Sequence, residues 1–221
     1  SVPLTAIAFF MLTGELMTSA TITDRLVALS RALIGRIRGG LAQVNVLVSM
    51  FFAGMNGSVV ADTATVGALV LPAMKKAGYP AAFSAAVTGV SSTIGGIIPP
   101  SIMMIVLANS TEISIAALFA AGIIPGILIG VVIMIINHYF AIKYNFERSD
   151  EPFSIRRAGK ELYRSSFALL IPLVLVGSVM GGVASVVEAG AITAMVALLT
   201  GVFVYRTIKW KECTGAFRRA F

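Results

Sequence analysis

Apolar residues fill six stretches of the chain, 2–20, 41–74, 79–108, 114–142, 165–187 and 189–205, with polar and basic residues gathered between them. Crossing ~30 Å of hydrocarbon takes about 20 apolar helical residues. Five of the stretches suit one passage each; the stretch 41–74 does not. As one straight helix it would run ~51 Å, and split at Gly54-Met55-Asn56-Gly57-Ser58 each limb would reach only ~22 Å. The flanking charges favour the split. Arg36 and Arg38 precede the stretch and Lys75 and Lys76 follow it, so a single crossing would put one basic pair on the wrong side. A re-entrant helical hairpin keeps both pairs on one side.

Residues 79–108 cross in turn, but the run from Ser91 to Pro100 interrupts the helix. Gly95 and Gly96 permit unusual dihedrals, and Pro99-Pro100 removes two donors and pushes the preceding residue out of the helical region. Two half-helices around an unwound centre are expected. Between the first crossing and the hairpin, Thr23 and Asp24 are placed to start a helix. Leu26, Leu29, Leu33 and Ile37 then share one face, with Arg31 and Arg38 opposite, the pattern of a helix lying along the membrane interface. Further on, a bend is expected at Pro125, and Gly122, Gly126 and Gly130 form one face suited to close helix packing. Gly181-Gly182 loosens the end of 165–187, placing Glu188 at or beyond that end.

Composition fixes the class. With 57% hydrophobic and 12% charged residues, the chain is no ordinary soluble protein, and unbroken apolar runs exclude the alternation of a β-barrel. The reading is an all-α polytopic membrane protein with a re-entrant helical hairpin and a broken transmembrane helix, embedded in the lipid bilayer. The net charge of +7 then reports orientation. This topology gathers all 17 Lys and Arg on one side, the cytoplasmic one, and leaves acids such as Glu112 on the other. No nucleic-acid partner is expected, since no basic-aromatic interleaving, zinc spacing or phosphate-cradling loop is present. Cys213 is the only cysteine, so no intrachain disulfide forms. Ser1 opens almost directly into an apolar run, and a fragment of something longer is expected.

Half-helices that meet near the bilayer middle present partial positive charge at N-termini and partial negative charge at C-termini. Unwound carbonyls with Ser, Thr or Asn oxygens suit a small cation, and free N–H groups suit a carboxylate. Asn56, Gly57 and Ser58 supply such groups at the hairpin tip; Ser91, Ser92, Thr93, Gly95 and Gly96 supply them in the break. If the hairpin folds against the broken helix, the spacing fits a sodium site shared between Asn56, Gly57, Ser58, Thr93, Gly95 and Gly96. The plainer alternative is that these residues only ease kinks and packing. Asp62 is the one acid inside the hairpin, where a charge costs roughly 2.5–3.5 kcal/mol on insertion scales. One turn past the tip, it suits either helix capping or the electrostatics of the site.

The runs GMNGSVVADTATVGALVLPAMKKAGYPAAFSAAVTGVSSTIGGIIPPSIMMIVLA and LFAAGIIPGILIG, and more weakly GGVASVVEAGAITAMVALLTGVFVYR, resemble the large membrane subunit of tripartite ATP-independent periplasmic (TRAP) transporters, in the ion-transporter superfamily. The resemblance implies sodium-coupled uptake of a small organic acid, such as a C4-dicarboxylate or sialic acid, by an elevator mechanism in a bacterial inner membrane. Sodium would be the coupling ion. The implied partners are a small four-helix membrane subunit and a periplasmic substrate-binding protein. Carried over by position, Ser58, Ser91, Ser92 and Pro99 would fall in the substrate cleft. Asn56 and Val59 stand where the family often has serine, Gly96 where it often has proline, and SVVEAG replaces a Thr-Pro-Thr-Glu run. Family members have roughly twice as many residues, with a second inverted repeat, so the resemblance implies that this chain is one inverted-repeat unit. The implied division is a scaffold helix with an interfacial arm (1–40), a transport domain (41–110), a transmembrane helix with its connector (111–164), and two further segments that begin the second half (165–221).

Two other classes compete. A truncated, non-transporting membrane scaffold is consistent with the length. An intramembrane hydrolase fits poorly: an aspartyl version wants two embedded acids where only Asp62 qualifies, and a serine version wants a base beside Ser58, whereas His138 is expected near the cytoplasmic surface.

Overall fold

The computed structural model describes residues 2–34, 37–146, 153–205, 207 and 215–216. Arg36, Arg148, Arg206, Lys209 and Lys211, which carry part of the expected charge asymmetry, lie outside the described residues, as does Cys213. Among the described residues there are nine α-helices and no strand. They are α1 (Val2–Ser19), α2 (Ile22–Ile34), α3 (Gly40–Asn56), α4 (Val59–Lys76), α5 (Ala81–Ser92), α6 (Ile102–Thr111), α7 (Ile115–Lys143), α8 (Ile155–Met180) and α9 (Val186–Leu199). The chain is an all-α polytopic membrane protein. Helices α7, α8 and the stretch Val186–Val204 are each long and apolar enough to cross a bilayer, and α1 with α2 adds a candidate bent by 71°.

The stretch 41–74 is two antiparallel helices, α3 and α4, packed on each other. The turn is tighter than the sequence suggested. Gly54, Met55 and Asn56 stay helical, and Gly57 and Ser58 alone make the reversal. Gly57 takes φ 60°, a left-handed helix end, and Ser58 is extended and caps α4 through its hydroxyl, which accepts from the Ala61 N–H at 3.3 Å. Helix α5 packs against both limbs, so α3, α4 and α5 form one three-helix body. At its base, Tyr79 and Phe83 meet Phe146 with ring centroids 4.6 and 5.0 Å apart, a clasp between the α4–α5 turn and the end of α7.

Other boundaries move for local reasons. Thr21, at φ 55°, makes the bend before α2, while the buried Thr23 hydroxyl has no partner. Helix α2 packs against α3 and α8; Leu26 and Leu29 are buried, and Leu33 and Ile37 are exposed. Arg25 lies 3.9 Å over the Tyr205 ring. The outer turn after α8 sits at 181–184, earlier than expected, because Ser185 and Glu188 form a reciprocal capping box that starts α9. Ser185 N–H donates to Glu188 Oε2 at 2.8 Å, and Glu188 N–H to Ser185 Oγ at 3.3 Å. Val186, Val187 and Glu188 therefore belong to the returning helix.

The core runs from α1 through the hairpin to α8, with a second cluster of Phe10, Ile105, Phe119 and Leu175. The outer faces of α7 and α8 are apolar and open, with Ile124 76% and Leu173 67% exposed, as lipid-facing surfaces are. The inner face of α7 is the glycine row. A Cβ on Gly122 would meet Ile97 O, one on Gly126 would meet Ile98 Cγ1, and one on Gly130 would lie 2.5 Å from Met50 Sδ. Both α3 and the unwound segment after α5 thus lean on α7 at close range. Gly126→Leu should lower stability by about 1–3 kcal/mol through overpacking, read as a drop in the detergent melting temperature, whereas Gly159→Ala, inside α8 with no neighbour within 4 Å, should raise stability by about 0.5–1 kcal/mol.

Candidate functional site

The hairpin tip and the helix break meet. After α5 the chain takes one 3-10 turn, Thr93–Gly96, then runs non-helically to Ser101, which caps α6. Gly57 O at the tip accepts a hydrogen bond from Ile102 N–H at 3.2 Å. A Cβ on Gly57 would collide with Pro100 O, one on Gly95 would lie 3.6 Å from the Ser58 carbonyl carbon, and one on Gly96 would lie 3.3 Å from Val59 Cγ2. Ser101 holds the far side: its hydroxyl donates to Gly96 O at 2.8 Å and accepts from Met104 N–H at 3.3 Å. The contact is internal, with Asn56 3% and Ser101 0% exposed.

Most tip oxygens are already engaged. Asn56 Oδ1 accepts from Ser58 N–H at 3.0 Å, Gly57 O accepts from Ile102, and Gly96 O accepts from Ser101. Thr93 is exposed and its hydroxyl donates back to Val90 O at 2.7 Å. Asn56 Nδ2 is buried without a partner. Ser91 and Ser92 point into the three-helix body and are fully buried, as is Ser49 opposite them on α3. Pro99 is buried between tip and α6, its carbonyl 3.8 Å from a Cβ on Gly54.

Asp62 stands inside this body. It is 0% exposed, and neither carboxylate oxygen has a hydrogen-bond partner. The Ser92 and Ser49 hydroxyls face it but close no bond of ordinary geometry on it. Of the two roles open to Asp62, side-chain capping is already filled by Ser58. The α4 dipole favours an anion in the first turn by at most about 2 kcal/mol, less than the several kcal/mol that burying an unpaired ion costs. The carboxylate is therefore undercompensated by the protein around it.

Three groups of residues escaped the sequence reading. Asn45 and Ser49, one turn apart on α3, join Thr88 and Ser91 on α5: Asn45 Nδ2 donates to Thr88 Oγ1 at 2.7 Å and Ser91 Oγ to Asn45 Oδ1 at 3.0 Å. Their signal was polar residues at helical spacing inside apolar runs. Ser101 was hidden behind Pro99-Pro100, though a serine just before an apolar run is a cap signature. Gly14, Glu15 and Thr18 of α1, with Asn56, Ser58 and Thr65, line a cleft of about 80 Å³ beside the tip. A Cβ on Gly14 would stand 2.7 Å from Asn56 Cβ, so α1 crosses the tip at close range. A larger cavity, about 610 Å³, lies at the base of the hairpin around Arg38, Gly78 and Tyr144, away from these groups.

Residues 1–221 match the family described as the DctM component of the tripartite ATP-independent periplasmic transporter. The chain belongs to this family. It is 36% identical over 210 residues to the C4-dicarboxylate TRAP transporter large permease protein DctM of Pseudomonas aeruginosa, a match covering 95% of this chain and 49% of the relative. It is 36% identical over 205 residues to the sialic acid large permease SiaM of Vibrio cholerae, covering 93% and 48%. To the 2,3-diketo-L-gulonate large permease YiaN of Escherichia coli it is 37% identical over 220 residues, covering 98% and 52%. The chain spans about half the length of these curated relatives. As a DctM component with several apolar spans, it resides in a bacterial inner membrane.

Gly57→Ala should destabilise the chain by more than the about 1–2 kcal/mol of a left-handed non-glycine residue, because its Cβ also strikes Pro100. Gly78→Ala, at φ 80° with open space around it, should show the conformational cost alone; comparing their melting temperatures isolates the tip–break contact.

Proposed function

We propose that this chain forms one repeat of a permease that takes up a small organic acid with sodium, by an elevator movement of the three-helix body. The observation that carries the reading is the direct bond between the tip of one hairpin and the break of a neighbouring helix, Gly57 O to Ile102 N–H, inside an apolar, membrane-embedded chain. Irregular backbone at membrane depth persists where it lines a binding site, with half-helix ends supplying the charges. The N-termini of α4 and α6 both start at this junction and favour a carboxylate. Engaged carbonyls such as Gly57 O and Gly96 O keep a second lone pair for sodium, so Asn56, Gly57, Ser58, Thr93, Gly95 and Gly96 remain the proposed tip site.

The substrates named for the relatives are a C4-dicarboxylate, sialic acid and 2,3-diketo-L-gulonate, which supports an organic anion here. Ser58, at the mouth of the α1 cleft, is the proposed first contact, with Pro99 behind it; Ser91 and Ser92 would act from within the body. A small membrane subunit and a periplasmic binding protein are the proposed partners. Transport without catalysis fits Ser58, whose hydroxyl serves as a helix cap rather than a nucleophile.

The test is uptake of labelled C4-dicarboxylate or sialic acid into proteoliposomes holding a permease that contains this sequence, with its small subunit and binding protein. An inward sodium gradient should drive accumulation, and potassium should not replace it. Uptake that ignores the sodium gradient overturns the coupling.

A further inference from the structure

The hydroxyls around Asp62 belong to a wider polar cluster. Read from the hydrogen-bond network, Ser92 Oγ donates to Thr88 O at 2.8 Å. Ser49 Oγ lies 3.4 Å from Ser91 Oγ, whose one proton has Val87 O at 2.8 Å, Asn45 Oδ1 at 3.0 Å and Thr88 O at 3.2 Å within reach. Asn45 Nδ2 donates to Thr88 Oγ1 at 2.7 Å, whose own proton goes to Ser84 O at 2.9 Å. Ser49 and Ser92 each have another acceptor within reach, and the buried Asp62 carboxylate beside them closes no hydrogen bond.

A buried carboxyl with no hydrogen-bond partner calls for a proton or a cation, and a cation seated here would also meet the Ser49 and Ser92 hydroxyl oxygens. The protein does not supply that cation. Helices α3 and α5 and the turn Thr93–Gly96 carry no Lys or Arg, and Lys75 and Lys76 on α4 stand ~20 Å along the helix from Asp62. Among the described residues, no salt bridge reaches it. We infer that Asp62, Ser49 and Ser92 form a seat for one dehydrated alkali cation inside the α3–α4–α5 body, one turn in from the tip and additional to it. A single carboxylate with neutral oxygens balances a monovalent ion; divalent ions call for more anionic ligands or retained water. The choice of sodium among alkali ions rests on the coupling proposed above. The seat itself rests on the buried, unpartnered carboxylate and the two buried hydroxyls beside it.

The experiment is thermal unfolding of the purified chain in detergent, titrated with sodium, potassium or choline chloride at constant ionic strength. Wild type should be stabilised by sodium with a saturable midpoint and not by choline. Asp62→Asn should lose one saturable component of that response, shrinking the sodium stabilisation and shifting its midpoint to that of the tip alone, while melting in choline at or above the wild-type temperature, since a buried unpaired charge is gone. Ser92→Ala and Ser49→Ala should keep the response with midpoints raised roughly tenfold to hundredfold; they carry the test if the Asp62 variant does not fold. An Asp62→Asn chain with an unchanged sodium midpoint, or serine variants that match wild type, overturns the seat. The two proposals separate cleanly. Sodium-indifferent uptake with Asp62-dependent stabilisation refutes coupling and leaves the seat, whereas sodium-driven uptake with an Asp62-independent midpoint refutes the seat and leaves the tip.

Discussion

A backbone amide or carbonyl exposed to hydrocarbon has no water to turn to, so every departure from helix at membrane depth must find its partner in the protein. Two such departures, at Gly57-Ser58 and between Thr93 and Ser101, are resolved by pressing them together. Gly57 O takes the Ile102 N–H, Ser58 Oγ takes the Ala61 N–H, and Ser101 bridges Gly96 and Met104. Neither break is self-sufficient. Each supplies what the other lacks, and the glycines at 57, 95 and 96 let two backbones come close enough to do so.

Much else follows from keeping that junction shut to lipid. The three-helix body behind it is stitched by polar groups rather than by bulk alone, with Asn45, Thr88 and Ser91 mutually bonded in the interior. In front of it, α1 crosses with Gly14 against Asn56 and leaves a small cleft. The aromatic clasp of Tyr79, Phe83 and Phe146 anchors the base of the hairpin. The body is thus pinned at its foot and tied to the break at its tip, while α2 braces α3 from the side.

The fold was legible where length and charge spoke together. The excess length of 41–74, bracketed by Arg38 and Lys75, exposed the hairpin, and Gly95-Gly96 with Pro99-Pro100 exposed the break. What sequence could not resolve was where in this run the turn would fall: Gly54 stays helical with Pro172 3.2 Å from its would-be Cβ, and the left-handed residue is Gly57. The turn after α8 was placed late because an apolar run hides its end; the capping box at Ser185 and Glu188 marks it. Among candidate site residues the two breaks were visible as polar islands. The inward aim of Ser91, Ser92 and Asp62 was not, since it depends on Ser49, which is far away in sequence and close only after folding.

The glycine row of α7 has a mechanical consequence. Side chains on packed helices normally interlock as ridges and grooves, and such interlocking resists sliding. At Gly122, Gly126 and Gly130, spaced about 6 Å apart along the axis, the bare backbone faces Ile97, Ile98 and Met50 with no ridge of its own. Along this track α7 offers sockets rather than ridges, so the hairpin and its broken neighbour seat their side chains directly against its backbone.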